Sequence, residues 1–557
     1  MNEVYLGIDL GTTTTLIAKA SQVRDDIEVK VLKIPQDDGR QGRAEPSSLP
    51  SVAYLKSNGE FCVGMEAQVL GSEENPSHFV RAVKRQMGRR LLLHEVGKKP
   101  YEISALYLEK ALREAAAQLP MAEMVFTVTV PASFTSNQRA DTLLALKQAC
   151  PKAGIEFPEK DQGEIFISEP VAAMLAFLND DLQLSEKTRR LVYSKANRIV
   201  VYDIGGGTLD LTMVFIEPLT TPVKSLVDLK INVDKISSYN PFGGEDFDLT
   251  LAQDLFLRFL KEYPELEEIK LTPSQRMGIR MQFMNIAKKI KENLSAKMHP
   301  DPFADEANES YYYTGSIRVK DTSYSFEGEI SVSEYKKIID VLLINPTRKS
   351  LVTPLKELLE KSKKQPDGLL IVGGMGNLPL VEETLREYWG NEDKVWLYSP
   401  AEHAVVRGAA LYSLLRRSNK GFSLKEPAAD AYYVPIDNGF DCILPTKKEL
   451  GEIRSYGLDQ DSDRLLLQLF AGEEPSSGEP IENIYHTLIY QGGVSIPLKK
   501  KYPKDTQIFV RMLYEQGEKQ HTKLPWVYIW LEKSSGEPDF KYLYSDFVKE
   551  AYDEKGI

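Results

Sequence analysis

Two short stretches far apart in the chain, Gly7-Ile8-Asp9-Leu10-Gly11-Thr12-Thr13 and Tyr202-Asp203-Ile204-Gly205-Gly206-Gly207-Thr208, repeat one pattern. Each is an apolar run with an Asp near its end, a Gly-containing tight turn, one or two Thr hydroxyls, and then a second apolar run. Glycine lets the backbone turn sharply and point consecutive N–H groups at an anion, while a carboxylate beside that turn can hold a cation that the anion also binds. A single copy reads as an ordinary strand-end turn. Two copies indicate duplicated halves that face each other across a cleft and grip a metal-bound polyphosphate.

The surrounding pattern gives an α/β fold class. Residues 3 to 20 read as a β-hairpin turning at Gly11 to Thr13, and Ile199 to Ile216 as a second one turning at Gly205 to Gly207. Between them lie an amphipathic helix around Ile103 to Leu119, a buried strand at Val125 to Val130 closed by Pro131, and a helix from about Ser136. After the second hairpin come Gly243-Gly244-Glu245-Asp246, a helix with Phe247, Leu251, Leu255 and Phe259 on one face, and a long helix at about Pro273 to Lys297. A Tyr-rich strand region (Tyr311 to Phe326) and a helix from Ser333 follow. The buried strand Leu369 to Val372 then runs into Gly373-Gly374, ahead of Pro379, which suits the first turn of a helix. Strands alternating with helices indicate α/β layers.

From about Arg416 the character changes. Arg416 to Gly421 is polar, and Pro427 keeps the chain extended. Beyond it, β-like runs (Leu465 to Phe470, Tyr485 to Tyr490, Gln507 to Leu513, Trp526 to Leu531) alternate with Gly, Pro, Asp and Ser clusters, which reads as a small all-β module. Only Tyr544 to Tyr552 suits a terminal helix. The expected division is 1–192 and 193–398 for the two halves of the cleft, 399–418 for a returning helix, 419–430 for a linker and 431–557 for the β-rich domain.

A chain of 557 residues, 42% hydrophobic and 27% charged, can bury several cores and leads one to expect about three or four domains. With 69 basic and 81 acidic residues the net charge of -12 opposes non-specific attraction to nucleic acid or an anionic membrane. No apolar run approaches the roughly 20 residues of a membrane span, and the first residues pass straight into a strand, so a cytoplasmic protein without membrane contact is expected. Three scattered cysteines, Cys62, Cys150 and Cys442, have neither disulfide-framework nor zinc-site spacing.

A polyphosphate cleft needs backbone donors from two sides, a cation held by carboxylates and a group that orients the nucleophile. Asp9 and Asp203 are expected to face each other and hold Mg²⁺ through water, because magnesium dehydrates reluctantly. Thr12, Thr13 and Thr208 add hydroxyls to the cradle. Gly373-Gly374 allows close backbone approach to a ribose or base.

The order Gly-Ile-Asp-Leu-Gly-Thr-Thr, Val-Pro-Ala-Ser-Phe-Thr-Ser-Asn-Gln-Arg (130–139), Ser-Glu-Pro-Val-Ala-Ala-Met-Leu-Ala-Phe (168–177), Tyr-Asp-Ile-Gly-Gly-Gly-Thr-Leu-Asp (202–210), Gly-Gly-Glu-Asp-Phe-Asp (243–248) and Val-Gly-Gly (372–374) resembles the seventy-kilodalton heat-shock chaperones of the DnaK type. The resemblance covers approximately residues 3 to 415. It implies an actin-like ATPase of duplicated, ribonuclease-H-like lobes that hydrolyses ATP to ADP and phosphate with Mg²⁺ and K⁺. Within Lys84-Arg85-Gln86-Met87-Gly88-Arg89, Lys84 matches the lysine that reaches the γ-phosphate and nucleophilic water. Glu169 is implied to position the water or metal shell, and Asp210 to orient the water, beside Asp203 and Thr208. Gly11, Gly205, Gly206, Gly207, Gly243, Gly244, Glu245, Lys291, Ser295, Gly373, Gly374 and Glu402 are implied to contact the nucleotide. Pro131 and Arg139 match positions that pass the nucleotide state to the substrate domain. J-domain and nucleotide-exchange partners, and a monomer, are likewise implied.

Departures accompany the resemblance. Lys288 and Glu292 stand where the family commonly has other types, and Met375-Gly376-Asn377 replaces Ser-Thr-Arg after the Gly pair. The joint from Arg416 to Pro427 is basic and polar, with Phe422 and Leu424 its larger apolar residues, and offers little for the family's Leu-rich docking linker. Fewer than about thirty residues follow the last expected strand, too few for a helical lid at 1.5 Å per residue. Three readings follow: a divergent ATP-hydrolysing chaperone that binds polypeptide through its β domain, a nucleotide-switched adaptor for one dedicated protein, or a non-chaperone actin-like ATPase.

Overall fold

The computed structural model describes residues 3 to 544, leaving aside 24–25, 40–41, 74–75, 89–91, 94–95, 120–122, 135, 159–164, 237–241, 299–308, 346–349, 363–364, 418–421, 426–430, 437–438, 446–450, 473–488, 514–525 and 533–537. Two mixed six-stranded sheets carry the first four hundred or so residues. In the first, Glu3–Leu10 pairs parallel with Glu123–Val130 and antiparallel with Thr14–Val23; Phe166–Ser168 and Asp26–Val31 extend the two ends. The second repeats this plan: Asn197–Ile204 is parallel to Gly368–Val372 and antiparallel to Leu209–Pro218, with Val395–Leu397 and Leu229–Ile236 beyond them. Each glycine turn therefore joins the two central antiparallel strands of its own sheet, at the carboxyl end of the strand bearing the Asp.

The helices that position the site have local reasons to form. Pro100–Gln118 opens on a Pro, and Glu102 reaches back to accept the Lys99 N–H at 2.8 Å. Its buried Ile103, Tyr107, Leu108, Ala111, Leu112 and Ala115 recur every three or four positions and pack on Leu6, Ile8, Phe126 and Val128 of the first sheet. Such burial contributes about 1.5–3 kcal/mol for each large apolar side chain. Pro273–Lys297 begins with a reciprocal cap: the Thr272 hydroxyl accepts the Gln275 N–H at 3.2 Å, and the Gln275 side chain accepts the Thr272 N–H at 2.9 Å. It packs beside Gly244–Glu262 through edge-on contacts of Phe283 with Phe256 and Phe259, and meets Phe326 of the strand Thr322–Ser331 edge-on as well. The Tyr-rich segment is the hairpin Ser310–Val319 with Thr322–Ser331.

Close approach explains small residues that look unremarkable in the sequence. The helix Ala404–Arg417 returns across the first sheet so tightly that a Cβ on Gly7 would strike the backbone at Ala410. Gly7 thus serves helix packing, although it belongs to the first repeated stretch. Within the expected 399–418 segment the helix spans Ala404–Arg417, after a short 3-10 turn Ala401–His403.

The joint differs from its composition. Ser423–Lys425 adds as a parallel edge strand to the second sheet, with Lys230, Ile231 and Asn232 opposite Ser423, Leu424 and Lys425. Phe422 and Leu424 pack on an apolar cluster that joins this sheet to the helices Glu169–Gln183 and Ala404–Arg417, and the Phe422 ring meets Tyr412 at 6.3 Å. A strand edge binds through backbone groups, so two apolar side chains suffice where the sequence pattern offered little for a Leu-rich docking linker. Arg416 and Arg417 end the helix Ala404–Arg417, and 418–421 and 426–427 lie outside the described residues.

The C-terminal region forms two four-stranded antiparallel sheets: Gly439–Leu444, Ala431–Ile436, Ser462–Gly472 and Ile489–Tyr502 in one, Arg454–Gly457, Gln507–Leu513, Trp526–Glu532 and Pro538–Tyr544 in the other. Tyr432, Val434, Ile443, Leu469, Val510, Met512 and Ile529 share its core. The last strand was not expected: Tyr544 ends it rather than opening a helix, because Val527 to Leu531 offer a paired edge to Phe540 to Tyr544. Residues 545–552 of the expected helix, and 485–488 of the expected strand, lie outside the described residues.

Candidate functional site

The two glycine turns touch. A Cβ on Gly206 would collide with the Thr13 hydroxyl, and one on Gly207 would lie 2.6 Å from Thr12 Cγ2, so the second turn accepts no side chain where it meets the two Thr side chains of the first. The start of helix Gly244–Glu262 rests on the second turn: Gly244 N–H donates to Gly205 O at 3.1 Å and Glu245 N–H to Gly206 O at 2.7 Å. Gly243 completes the stack, since its Cβ would fall 2.7 Å from Gly205 O. Gly373 has φ of 86°, which favours glycine, and a Cβ there would press on Ile204 O and the Asp203 carboxylate.

Between the sheets lies a cleft of about 830 Å³. It is lined by Asp9, Gly11, Thr12, Thr13, Lys84, Glu169, Asp203, Gly205, Gly206 and Thr208 at one part, and by Gly244, Glu245, Lys291, Ser295, Gly373, Gly374 and Glu402 elsewhere. Gly207, Gly243 and Asp210 are not among the lining residues. Pro131 and Arg139 lie off it, where Arg139 Nε donates to Phe134 O at 3.2 Å.

Lys84 sits on the 3-10 turn Val83–Gln86 and is buried, with 4% exposure; it forms an ion pair with Glu169, the first residue of helix Glu169–Gln183. Phe134 lies 5.9 Å from the ammonium. Thr129 donates to Asp9 at 3.0 Å, and Ser133 to Asp210 at 2.9 Å. Burial pushes Asp9 up to about 7, with repulsion from Glu169 adding to the rise and Lys84 and Thr129 opposing it. Burial and the Glu169 charge push Asp210 to about 7 as well, against Ser133, Lys84 and Thr208. Asp203 is raised well above the usual carboxylate range by burial first, then by Glu169, Asp210 and Asp9. Burial pulls Lys84 down, but Glu169 and Asp9 outweigh it and hold the ammonium above its ordinary value.

Four carboxylates thus share one ammonium, and the cluster is short of positive charge. Among the described residues no three carboxylate, imidazole or thiol groups stand as a direct metal-ligand set. The donor chemistry fits a cation that keeps its water shell. Thr13 Oγ1 is buried without a hydrogen-bond partner, as a cradle for an anion requires.

At the other end, Lys291 bridges Asp248 at 2.7 Å and Gly244 O at 3.1 Å. Ser295 donates to Asn377 O at 3.3 Å, and Asn377 Nδ2 to Glu402 at 2.7 Å. Glu245 is held by Arg81 at 3.3 Å and Arg85 at 3.4 Å. Arg85 also donates to Gly207 O and approaches Asp246 at 3.7 Å. Arg81, Arg85, Ser133 and Asp248 escaped the sequence reading, although Arg85, Ser133 and Asp248 stand inside stretches it singled out. Their partners are distant in sequence, so no local pattern marks them.

Residues 93–426 match the family described as Hsp70 protein. The chain is similar to the chaperone protein DnaK of Thermotoga neapolitana, 28% identical over 502 residues, which covers 86% of this chain and 72% of the relative. It is 29% identical to the chaperone protein DnaK of Thermosipho africanus over 436 residues, covering 76% and 61%. The corresponding protein of Thermosipho melanesiensis is 28% identical over 501 residues, covering 86% and 72%.

Proposed function

This chain belongs to the Hsp70 family and is an ATP-dependent molecular chaperone, and from that premise we propose how its own residues hold and cut ATP. Residues 1–192 and 193–398 act as the two lobes of an actin-like ATPase, 399–418 as the returning helix, 419–430 as the linker and 431–557 as the polypeptide-binding domain. Membership supports polypeptide segments as cargo and a J-domain protein and an exchange factor as partners.

The observation that carries the reading is the contact of the two Gly-Thr turns beside the buried Lys84–Glu169 pair. Backbone N–H groups of Gly11 to Thr13 and Gly205 to Thr208 cradle the β- and γ-phosphates, with the Thr13 hydroxyl donating its unspent hydrogen bond. When Mg²⁺ is bound it neutralises phosphate charge; Asp9 and Asp203 would hold it through water. Lys84 lies beside the γ-phosphate, held there by Glu169. Asp210 and Glu169 accept hydrogen bonds from the attacking water and aim it in line. Lys291 and Ser295 on the long helix, with Gly374 opposite, hold the ribose and base.

A thermal scan with ATP and Mg²⁺ tests the cleft. At about a hundred times its dissociation constant ATP stabilises the fold by about 2.7 kcal/mol. Lys84→Ala keeps most of that shift and loses hydrolysis. Wild-type hydrolysis by Lys84→Ala removes this lysine from the mechanism, and a scan unmoved by millimolar ATP removes the cleft.

A further inference from the structure

We propose that Ser133 is a positioning residue for ATP hydrolysis, fixing the Asp210 carboxylate from the opposite side of the boundary between the two α/β units. The inference rests on the reading that Asp210 orients the attacking water.

Ser133 belongs to the first unit. It sits in the tight turn between strand Glu123–Val130 and helix Ser136–Lys152, closed by Phe134 N–H donating to Pro131 O at 3.1 Å. Asp210 belongs to the second unit, on strand Leu209–Pro218, and is 2% exposed. The Ser133 hydroxyl crosses to Asp210 Oδ1 at 2.9 Å. A buried carboxylate can only accept hydrogen bonds, and its direction is set by the donors that reach it. Thr208 also hydrogen-bonds this carboxylate, and it comes from Asp210's own hairpin. Thr208 therefore moves with Asp210, whereas Ser133 ties it to the unit that carries Lys84 and Glu169.

The same turn serves Lys84. Phe134, next to Ser133, places its ring 5.9 Å from the Lys84 ammonium. One rigid turn thus registers the lysine beside the γ-phosphate and the carboxylate that aims the water, two groups brought from different units. In-line attack depends steeply on that register, and a misplacement of about 1 Å can lower the rate by about a hundredfold.

The test is single-turnover hydrolysis across ATP concentrations for wild type, Ser133→Ala, Ser133→Thr and Asp210→Asn, with the ATP-induced melting shift as a control for folding and binding. Ser133→Ala is expected to lower the maximal rate about tenfold while half-saturation and melting shift stay at wild-type values. Ser133→Thr, which keeps the hydroxyl, is expected to restore most of the rate. If Asp210→Asn is inactive but Ser133→Ala turns over at the wild-type rate, the positioning role is overturned and the site reading stands. A loss in Ser133→Ala that Thr does not repair, or that comes with a matching rise in half-saturation, also overturns it. If Asp210→Asn hydrolyses normally, the site reading fails and the inference with it.

Discussion

Arg85 and Glu245 meet at 3.4 Å across the mouth of the cleft, the first from the 3-10 turn that carries Lys84, the second from the opening of helix Gly244–Glu262. Their side chains keep 24% and 21% exposure, so each pair here contributes modestly, about 1 kcal/mol. Arg81 and Asp246 extend the pair into a small network. Glu245→Ala is expected to speed release of a fluorescent ADP analogue about fivefold, because opening then breaks fewer contacts. Stopped-flow displacement measures it. An unchanged release rate at low salt would show that the pair does not latch the cleft.

Glycines of the chain separate into packing and ligand-facing roles. A Cβ on Gly408 would overlap the backbone of Ala172, whereas one on Gly374 meets nothing within 4 Å. Gly408→Ala is therefore expected to cost about 3 kcal/mol or more, since backbone cannot yield as a flexible side chain does. Gly374→Ala should leave the ligand-free melting temperature unchanged yet shrink the ATP-induced shift. Calorimetry with and without ATP distinguishes them, and equal behaviour of the two variants would contradict the assignment.

Acidity gives a sign that can be checked. Asp9 and Asp210 rise from an ordinary 3.8 to about 7 in the ligand-free protein. A carboxyl raised on folding keeps its proton where the unfolded chain has lost it, so both groups oppose folding increasingly as pH climbs from about 4 to about 7. Of these two, Asp9 is the one proposed to hold the cation, which needs it deprotonated. The Mg²⁺-dependent part of the ATP melting shift should accordingly shrink as pH falls from about 8 to about 6. A part equally large at both values would mean that Asp9 does not hold the cation.

Strand pairing at the joint predicts protected amides. Ser423–Lys425 pairs with Lys230 to Asn232, and Leu424 packs on the cluster beneath. Hydrogen exchange should show Leu424 slowed relative to an unstructured chain, and Leu424→Asp should release that protection while leaving the central strand Asn197–Ile204 protected. Fast exchange at Leu424 in the wild-type protein would count against a docked strand.

Much of the fold was legible in the sequence. Both hairpins, the helix Pro273–Lys297, the Pro379–Trp389 helix after the Gly pair and several strands of the β region follow from periodicity and turn chemistry, which act within a few residues. The repeated Asp-Gly-Thr turns also marked a cleft, because duplication and glycine spacing are written along the chain. Only the tertiary structure decided partners: Glu169 for Lys84, Ser133 for Asp210, Arg85 for Glu245, Ala172 for Gly408, and the second sheet's edge for Leu424. Those choices depend on which surfaces meet when distant elements pack, and a local pattern sets a residue's backbone and face without naming what will lie opposite.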